Sequence, residues 1–352
     1  MKALKLLLIF LFATEMISYG QDFNSIYSNA ERGDDQSQFI LGTLYHNGDS
    51  VLKDEKEAFF WFKKSAENGN YKAQYYTGLY YDTGTGVTKD EKKAIYWYKK
   101  SAEQGYGEAQ CSLSGFYINK LIDKEEAMHW LKKCAEQGDM MAQKELGDML
   151  EDRTEALYWY MKSAQQGFSD AQFKIGKMYY KGDGVDIDRS EAFLWFEKAA
   201  SQGHPEAQNC LGEMCYSGIG ITLNKLEAFD WFKKGAENDN ASAQFHLGSM
   251  YLKGDIGKSN KHLAIEWFDK SARQSYNDKV FEYGSEKNAI IWFKKSAEGG
   301  NIKSMFYLGW MYGNGVGIEM NKKQAAFWIN NAYDHGLKEA KILWEGYELW
   351  KY

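Results

Sequence analysis

Proline and cysteine are scarce in this 352-residue chain, which contains one proline, Pro205, and four cysteines. Aromatic residues make up 16% of it, so it lies outside the disordered class, which is poor in aromatic residues and rich in proline. The formal net charge is −6 and no basic block occurs. This argues against nucleic acid as the main partner, because phosphate binding needs clustered lysine and arginine.

The sequence also lacks the motifs of common catalytic and metal sites. It has no H-E-x-x-H or Cys-x-x-Cys spacing and its histidines are scattered, so we expect neither a metal site nor a cofactor. No G-x-x-x-x-G-K-[ST] follows its glycine-rich loops, and residues 182–191 lack the ligand spacing of a calcium loop. One S-x-x-K, Ser50 to Lys53, has no accompanying K-T-G. We therefore predict that the chain is not an enzyme.

The apolar run Leu6 to Phe12 is well short of the roughly 20 residues that a membrane-spanning helix needs. Two lysines precede this run, and the small residues Ser18 and Gly20 follow it. This order predicts a signal peptide over residues 1–20 with cleavage after Gly20, and hence an exported protein, periplasmic or secreted. A membrane anchor is the alternative.

The four cysteines allow one disulfide. Cys210 and Cys215 fall on one predicted helix, about 7.5 Å apart along its axis, which is too far for a bridge. Cys111 and Cys134 fall on two helices of one repeat and could face each other. Burial of all four as small residues is the alternative, so the sequence leaves the pairing open.

A tryptophan recurs along the chain, usually within W-[FY]-x-K-x-A. Successive spacings are 36, 33, 29, 36, 36, 36, 25 and 36 residues. Such a period indicates one supersecondary unit stacked many times without a central core. The tryptophans could form a stripe that binds carbohydrate, but their place beside alanines predicts that most are core residues: Trp61, Trp97, Trp130, Trp159, Trp195, Trp231, Trp267, Trp292 and Trp328.

Each unit is predicted to contain two helices. The first, helix A, has the apolar spacing i, i+4, i+7, i+8, as in Ala171, Ile175, Met178 and Tyr179. A glycine inside it costs about 1 kcal/mol against alanine, so its recurrence indicates that another helix approaches closely there. It stands at Gly42, Gly78, Gly147, Gly176, Gly212, Gly248 and Gly309.

The second helix, helix B, carries marked ends. An aspartate, asparagine or serine precedes it in every unit, as a side-chain N-cap would require, and six units add a Glu or Gln three residues later, as in a capping box. A glycine for a left-handed C-terminal cap follows at Gly69, Gly105, Gly138, Gly167, Gly203, Gly300 and Gly336.

These elements divide the chain into a capping helix at 21–36, nine repeats at 37–336 and a second capping helix at 337–352. Solenoids need such ends because the outermost apolar face must be covered. The 25-residue spacing leaves only a remnant of helix A in the eighth unit. We therefore expect an irregularity at 276–286.

The pattern AQ-x-x-LG-x-x-Y-x-x-G-x-G-V-x-x-D-x-x-x-A-x-x-W-[FY]-x-K-x-A-x-x-G resembles the Sel-one-like repeat (SLR) family, which is related to tetratricopeptide repeats. The resemblance covers nearly all of the chain after residue 20. It implies an all-α fold, an α/α right-handed superhelical solenoid of about nine helix pairs with a concave surface. It also implies an adaptor that holds proteins or peptides together.

In related superhelices helix A lines the concave surface. The face of helix A away from the core varies between repeats, which is what a binding surface would show, although ordinary solvent exposure gives the same pattern. We therefore predict that a protein or peptide partner binds at Thr43, His46, Leu79, Asp82, Lys177, Tyr180, Glu213, Tyr216, Ser249, Leu252 and Trp310. Binding of cell-wall glycan or peptidoglycan is the alternative function, and a hydrolase is a third.

Overall fold

A computed structural model describes residues 23–120, 124–260, 262–264, 266–267, 270–271, 285–338 and 340–352. Every regular element in these residues is helical. The predicted signal peptide at 1–20 lies outside them, as does most of the predicted irregularity at 276–286. None of the helices in the described ranges is long and apolar enough to cross a membrane.

The described helices fall in pairs, and most have 13 residues. In chain order they are α1 Phe23–Glu31, α2 Asp35–Asn47, α3 Glu55–Glu67, α4 Tyr71–Thr83, α5 Glu91–Glu103, α6 Gly107–Lys120, α7 Lys124–Glu136, α8 Met140–Met149, α9 Arg153–Gln165, α10 Ser169–Lys181, α11 Arg189–Ser201, α12 Pro205–Ser217, α13 Lys225–Glu237, α14 Ala241–Lys253, α15 Ser285–Glu298, α16 Ile302–Asn314, α17 Lys322–Asp334 and α18 Ala340–Gly346. A 3-10 turn, Leu349–Lys351, follows.

Most described helices pack chiefly on the helices before and after them in sequence, and the most extensive contacts join the two helices of one repeat, as in α12 with α13 and α16 with α17. The all-α, helix-pair solenoid class predicted from the repeat is confirmed. The chain divides into two compact units, 1–149 and 150–352. Within each unit the core consists of small clusters between neighbouring helices, such as that of Ile26, Ala30, Leu41 and Trp61.

The helix B caps form as predicted wherever their side chains are described. The Asp54 carboxylate accepts the backbone N–H groups of Lys56 and Glu57 at 2.9 and 3.2 Å, and equivalent bonds are made by Asp90, Asp152, Asp188, Asn224, Asn260 and Asn321. The second half of the predicted capping box is wrong in four of its six units, because the backbone N–H groups of Asp54, Asp188, Asn224 and Asn321 donate to carbonyls of helix A. The Asp54 N–H does not need Glu57, because it donates to the Tyr45 carbonyl of helix A at 3.0 Å.

The C-terminal glycines of helix B also adopt the predicted geometry. Their φ angles lie between 86° and 99° in the seven repeats that carry them, from Gly69 to Gly336. This is the left-handed region in which a side chain is strained. Asp239 takes the same position in the sixth repeat, with φ 60°.

The glycine inside helix A makes room for a ring of helix B. A Cβ built on Gly212 would lie 2.5 Å from the ring of Phe232, and one on Gly176 would lie 2.6 Å from the ring of Phe196. In both pairs the ring residue follows the repeat tryptophan. The close approach inferred from the sequence is therefore a glycine-to-ring contact within one repeat.

A buried glutamine joins successive repeats. The Gln74 side-chain amide donates to the Ala66 carbonyl of the preceding helix B at 3.2 Å, and its oxygen accepts from Gln104 at 2.8 Å. Gln104 also donates to the Gly69 carbonyl at 3.1 Å. The first of these bonds recurs from Gln38, Gln110, Gln143, Gln172, Gln208 and Gln244. The glutamines thus add a hydrogen bond from the next repeat to carbonyls that already accept a backbone N–H after helix B, as Ala66 does from Gly69 at 3.1 Å.

The loops between helices A and B contact the preceding repeat. The first glycine of the loop, such as Gly84, is the left-handed cap of helix A. The second approaches the start of the preceding helix B, since a Cβ on Gly86 would lie 2.2 Å from the Glu55 carbonyl oxygen. The loop glycines therefore serve close packing between repeats.

The tryptophans are core residues in most repeats, as predicted, with Trp61 only 3% exposed. Trp231 and Trp267 are half-buried, and the side chain of Trp292 lies outside the described atoms. A lysine three residues on covers the ring, as Lys198 does over Trp195 at 3.8 Å. The recurring lysine of the motif therefore makes a cation–π contact.

Cys111 of α6 and Cys134 of α7 form a disulfide with Cα atoms 5.0 Å apart. The sequence left this pairing open, and the alternative that all four cysteines are unpaired is wrong. Cys210 and Cys215 are free, as their helical spacing required. The bridge ties together the two helices of the third repeat, which is one of the shortened units.

We predict that Gly212→Ala lowers the free energy of unfolding by about 1–3 kcal/mol, because its methyl group would overlap the Phe232 ring. The matched control is Gly115→Ala in α6, where no atom lies within 4 Å of the added Cβ. That change should leave stability equal or raise it by about 1 kcal/mol through helix propensity. Urea unfolding followed by circular dichroism measures both. Equal effects of the two changes would contradict the glycine-to-ring contact.

We predict that opening the disulfide by Cys111→Ser with Cys134→Ser lowers stability by about 2–4 kcal/mol, because the bridge restricts the unfolded chain. Cys210→Ser is the control, since Cys210 is unbridged. Thermal unfolding measures the change. Alkylation of the unfolded protein before and after reduction, followed by mass spectrometry, should label Cys210 and Cys215 first. Labelling of all four without reductant would show that the bridge is absent.

Candidate partner-binding surface

The residues predicted to bind a partner occupy the ninth and twelfth positions of the A helices. We call this surface the A-face: Thr43 and His46 of α2, Leu79 and Asp82 of α4, Lys177 and Tyr180 of α10, Glu213 and Tyr216 of α12, Ser249 and Leu252 of α14 and Trp310 of α16. Most of them are half-buried, and Lys177 and Glu213 are exposed. The side chain of Leu252 lies outside the described atoms.

In the first compact unit, His46 belongs to a hydrogen-bonded group that joins two repeats. Its Nδ1 lies 2.7 Å from the Tyr80 hydroxyl and 3.1 Å from the Glu55 carboxylate, to which Tyr80 donates at 2.5 Å. Burial would raise the pKa of Glu55, but hydrogen bonds from Lys53, Tyr80 and His46 outweigh it and lower that pKa. His46 is therefore held in place and leaves only part of its ring for a ligand.

Two aromatic residues beside His46 are not among the binding residues predicted from the sequence. Phe39 and Tyr76 stand at the fifth and sixth positions of their helices, with ring centroids 5.8 Å apart, and Tyr76 lies 6.5 Å from the His46 ring. Both are half-buried. The sequence indicates this part of the surface as well, because the fifth and sixth positions of helix A also vary between repeats.

In the second compact unit, Glu213 is paired with the next repeat. Its carboxylate lies 3.2 Å from His246 Nε2 and accepts from Asn209 at 2.8 Å. Desolvation by the surrounding protein would raise the pKa of Glu213, but the contacts with His246 and Asn209 outweigh it and lower that pKa. His246 in turn stacks on Phe232 with centroids 4.7 Å apart. Glu213 thus connects α12 to α14.

Tyr180 and Tyr216 both lie beneath cations. The Arg189 guanidinium is 5.8 Å from the Tyr180 ring centroid, and the Lys225 and Lys253 amines are each 5.5 Å from that of Tyr216. Two tyrosines on consecutive repeats would on their own make this part of the surface apolar. The structure surrounds them with basic groups instead.

Tyr216 is also anchored to the next repeat. Its hydroxyl donates to Asp255 at 2.9 Å, and Asp255 accepts from Lys225 at 2.5 Å. Burial would raise the pKa of Asp255, but the hydrogen bonds from Lys225 and Tyr216 lower it. Tyr216 therefore has a structural role, whereas no hydrogen bond of the Tyr180 hydroxyl ties it to a neighbouring repeat among the described contacts.

Trp310 lies at the C-terminal part of the second unit, packed on the core cluster that α16 and α17 share. The next turn of α16 is covered by Tyr347. Its ring fills the space beside Gly313, and its hydroxyl accepts a hydrogen bond from the Asn314 side chain. Ser249 is half-buried on α14. The structure thus brings Lys177, Tyr180, Glu213 and Tyr216 together on consecutive repeats and places Trp310 three repeats further along.

One group of side chains in the described ranges has the spacing of metal ligands. The ligand atoms of Cys111, Cys134 and Asp139 all lie within 4.8 Å of one another. The two sulfurs are joined in the disulfide, and a metal site needs thiolates. Asp139 caps α8 by accepting the Ala142 N–H at 2.8 Å, so the group serves structure.

His204 begins α12 and has an unusual cap. Its Nδ1 accepts the Ala207 N–H at 3.3 Å, and its ring lies on Phe173 with centroids 4.5 Å apart. Burial lowers the pKa of His204, and the carboxylates of Glu206 and Asp170, 3.3 and 3.5 Å away, oppose this only in part. A protonated Nδ1 could no longer accept the hydrogen bond of the cap.

We predict that stability falls as the pH drops below about 6.5, the ordinary pKa of histidine. The folded protein holds His204 neutral, so the unfolded chain binds the proton first and the stabilisation present above that pH is lost. Urea unfolding at pH 7.5 and 5.5 measures the loss. His204→Asn, with the cap residue of α4, α14 and α16, should reduce it, whereas His262→Asn at an exposed site should not. An equal loss in all three proteins would contradict the assignment.

The described geometry agrees with what comparison with known proteins finds. The Sel1 repeat model matches nine segments, residues 35–70, 72–106, 107–139, 140–168, 169–204, 205–240, 241–276, 283–301 and 302–337. A comparison with curated proteins finds no match.

Two solved structures are similar over most of their length. One is a protective antigen present in uropathogenic Escherichia coli strains that displays an SLR fold, with 29% identity, a TM-score of 0.64 and coverage of 93% of this chain and 83% of that one. The other is a Sel1 repeat protein from Oxalobacter formigenes, with 28% identity, a TM-score of 0.65 and coverage of 95% and 92%. Together with the nine matched segments, they show that this chain belongs to the Sel1 repeat family.

Proposed function

We propose that the chain is an exported, non-enzymatic adaptor that binds a protein or peptide on the A-face. Sel1 repeat proteins are typically scaffolds for protein interactions. The observation that carries the proposal is the contrast within helix A. The core positions repeat from unit to unit, while the ninth and twelfth positions change and remain accessible, as at Lys177, Tyr180 and Glu213.

Aromatic side chains make this surface suitable for a protein partner. Tyrosine and tryptophan are enriched at the residues that dominate binding energy in interfaces. Tyr180 is half-buried, and in the part of the chain that the structure describes its hydroxyl makes no hydrogen bond to another repeat. Phe39 and Tyr76 offer rings in the first unit.

Two features support export. The first twenty residues have the order of a secretory signal peptide. The Cys111–Cys134 disulfide is of the kind that persists in oxidising compartments such as the periplasm. A periplasmic or secreted location would also bring the adaptor to partners in the cell envelope.

Protein binding is favoured over the two alternatives. A glycan stripe would need exposed tryptophans, but the helix B tryptophans are mostly buried under lysine. A hydrolase built on Ser50 would need a free base, but Lys53 pairs with Glu55 at 2.8 Å. We therefore propose neither glycan binding nor hydrolysis.

Affinity capture from an envelope extract of the source organism, followed by mass spectrometry, tests the proposal. We predict that Tyr180→Ala removes the captured partner, at a cost of 2 kcal/mol or more in binding, roughly a 30-fold loss. Tyr158→Ala is the matched control, because Tyr158 is an exposed tyrosine on helix B. Circular dichroism and thermal unfolding should be unchanged in both variants. Equal capture by the wild type and Tyr180→Ala would exclude the A-face of this unit as the binding site.

A further inference from the structure

The A-face of the second compact unit carries a cluster of basic groups around two tyrosines. Lys177 and Lys181 project from α10, Arg189 begins α11 and Lys253 ends α14. Lys177 lies over the Phe173 ring at 5.5 Å and Arg189 lies over Tyr180 at 5.8 Å. We call this set of four cations, with Tyr180 and Tyr216, the basic patch.

Three carboxylates close to the basic patch, Asp183, Glu213 and Asp255, already have partners. Asp183 is bonded to Arg153 at 3.1 Å, Glu213 to His246 at 3.2 Å and Asp255 to Lys225 at 2.5 Å. Among the described contacts, no ion pair involves any of the four cations of the patch. None of the four is therefore held in an ion pair within the described part of the chain, although the charge of Lys253 also acts on Asp255.

Cations from two different repeats lie close to the same helix, α12. Burial and the Glu213 carboxylate raise the pKa of the Cys210 thiol to about 12, while the charges of Lys177 and Lys181 act to lower it. Both lysines of α10 therefore lie close enough to α12 for their charges to affect the pKa of a group on that helix. Lys253 reaches back from α14 and donates to the Tyr216 hydroxyl at 3.3 Å, so the patch extends over three repeats.

We propose that the basic patch binds an acidic peptide segment of the partner. Each glutamate or aspartate of such a segment would gain a charge-assisted hydrogen bond from a lysine or arginine. The Tyr180 ring would supply apolar contact beside it. A neutral glycan would offer no negative charge to these four cations. This inference rests on the proposed function, because it assigns a chemical class to the partner at the same surface.

The first compact unit provides an internal contrast. Its A-face residues at the equivalent positions are Thr43, His46, Leu79 and Asp82, and His46 is bonded to Glu55 and Tyr80. No lysine stands at either position. The acidic segment is therefore assigned to the second unit.

The test uses the full chain and a fluorescein-labelled 12-residue peptide of alternating glutamate and tyrosine. A peptide with glutamine in place of glutamate is its control, and fluorescence anisotropy measures both affinities. We expect at least tenfold tighter binding of the acidic peptide. Binding should weaken as salt rises from 0.05 to 0.5 M, because exposed charges are screened. Equal affinity for the two peptides would overturn the proposal.

Charge reversal locates the site. Lys177→Glu with Lys253→Glu should weaken binding of the acidic peptide at least tenfold. The matched control, Lys233→Glu with Lys338→Glu, changes the net charge equally at exposed positions outside the patch and should change affinity less than twofold. Equal losses in the two double variants would show that net charge alone attracts the peptide. Tighter binding of a heparin oligosaccharide than of the peptide would assign the patch to an anionic glycan and overturn the proposal.

The envelope capture experiment separates this inference from the proposed function. If Tyr180→Ala loses the natural partner while Lys177→Glu with Lys253→Glu retains it, the adaptor function stands and the acidic segment is excluded. If Tyr180→Ala retains the natural partner while the purified chain still binds the acidic peptide, the basic patch stands and the partner site lies elsewhere.

Discussion

The buried glutamine of helix A is the contact on which the repeat stack depends. Where helix B ends, the Ala66 carbonyl accepts the backbone N–H of Gly69 at 3.1 Å. Gln74 of the next repeat adds a second hydrogen bond to this carbonyl and is in turn bonded by Gln104. The Gln74 side chain is buried, and a buried amide without these partners would cost about 1–3 kcal/mol, so the bonds hold each repeat in place on the one before it. The same geometry recurs from Gln38 to Gln244, which makes neighbouring repeats interchangeable in their framework.

The sequence predicts much of this framework because its rules are local. A helix start depends on an oxygen within three residues, and Asp54 and its equivalents cap as expected. A helix end depends on one left-handed residue, which Gly69 supplies. The glycine inside helix A also predicts a close contact, because the stability that it costs the helix must be offset by packing.

Other features could not be predicted, because they depend on contacts between residues that are far apart in the sequence. The capping box fails in its second half because the Asp54 N–H meets the Tyr45 carbonyl across the loop. The A-face positions were identified, yet the pairing of Glu213 with His246 joins residues 33 positions apart. The basic surroundings of Tyr216 likewise come from Lys225 and Lys253, on two other helices. The disulfide stayed undecided because the spacing of Cys111 and Cys134 allows two arrangements.

The described contacts between repeats join segments that are neighbours along the chain. Gln74 bonds to Ala66 of the preceding repeat, and the loop glycine Gly86 packs on the first residue of α3, Glu55, which lies 31 residues earlier. Each described repeat therefore finds its docking site on a segment that precedes it in sequence. A polypeptide that emerges with its N-terminus first can add one repeat at a time onto finished structure, and no repeat has to wait for a distant C-terminal segment before it can close.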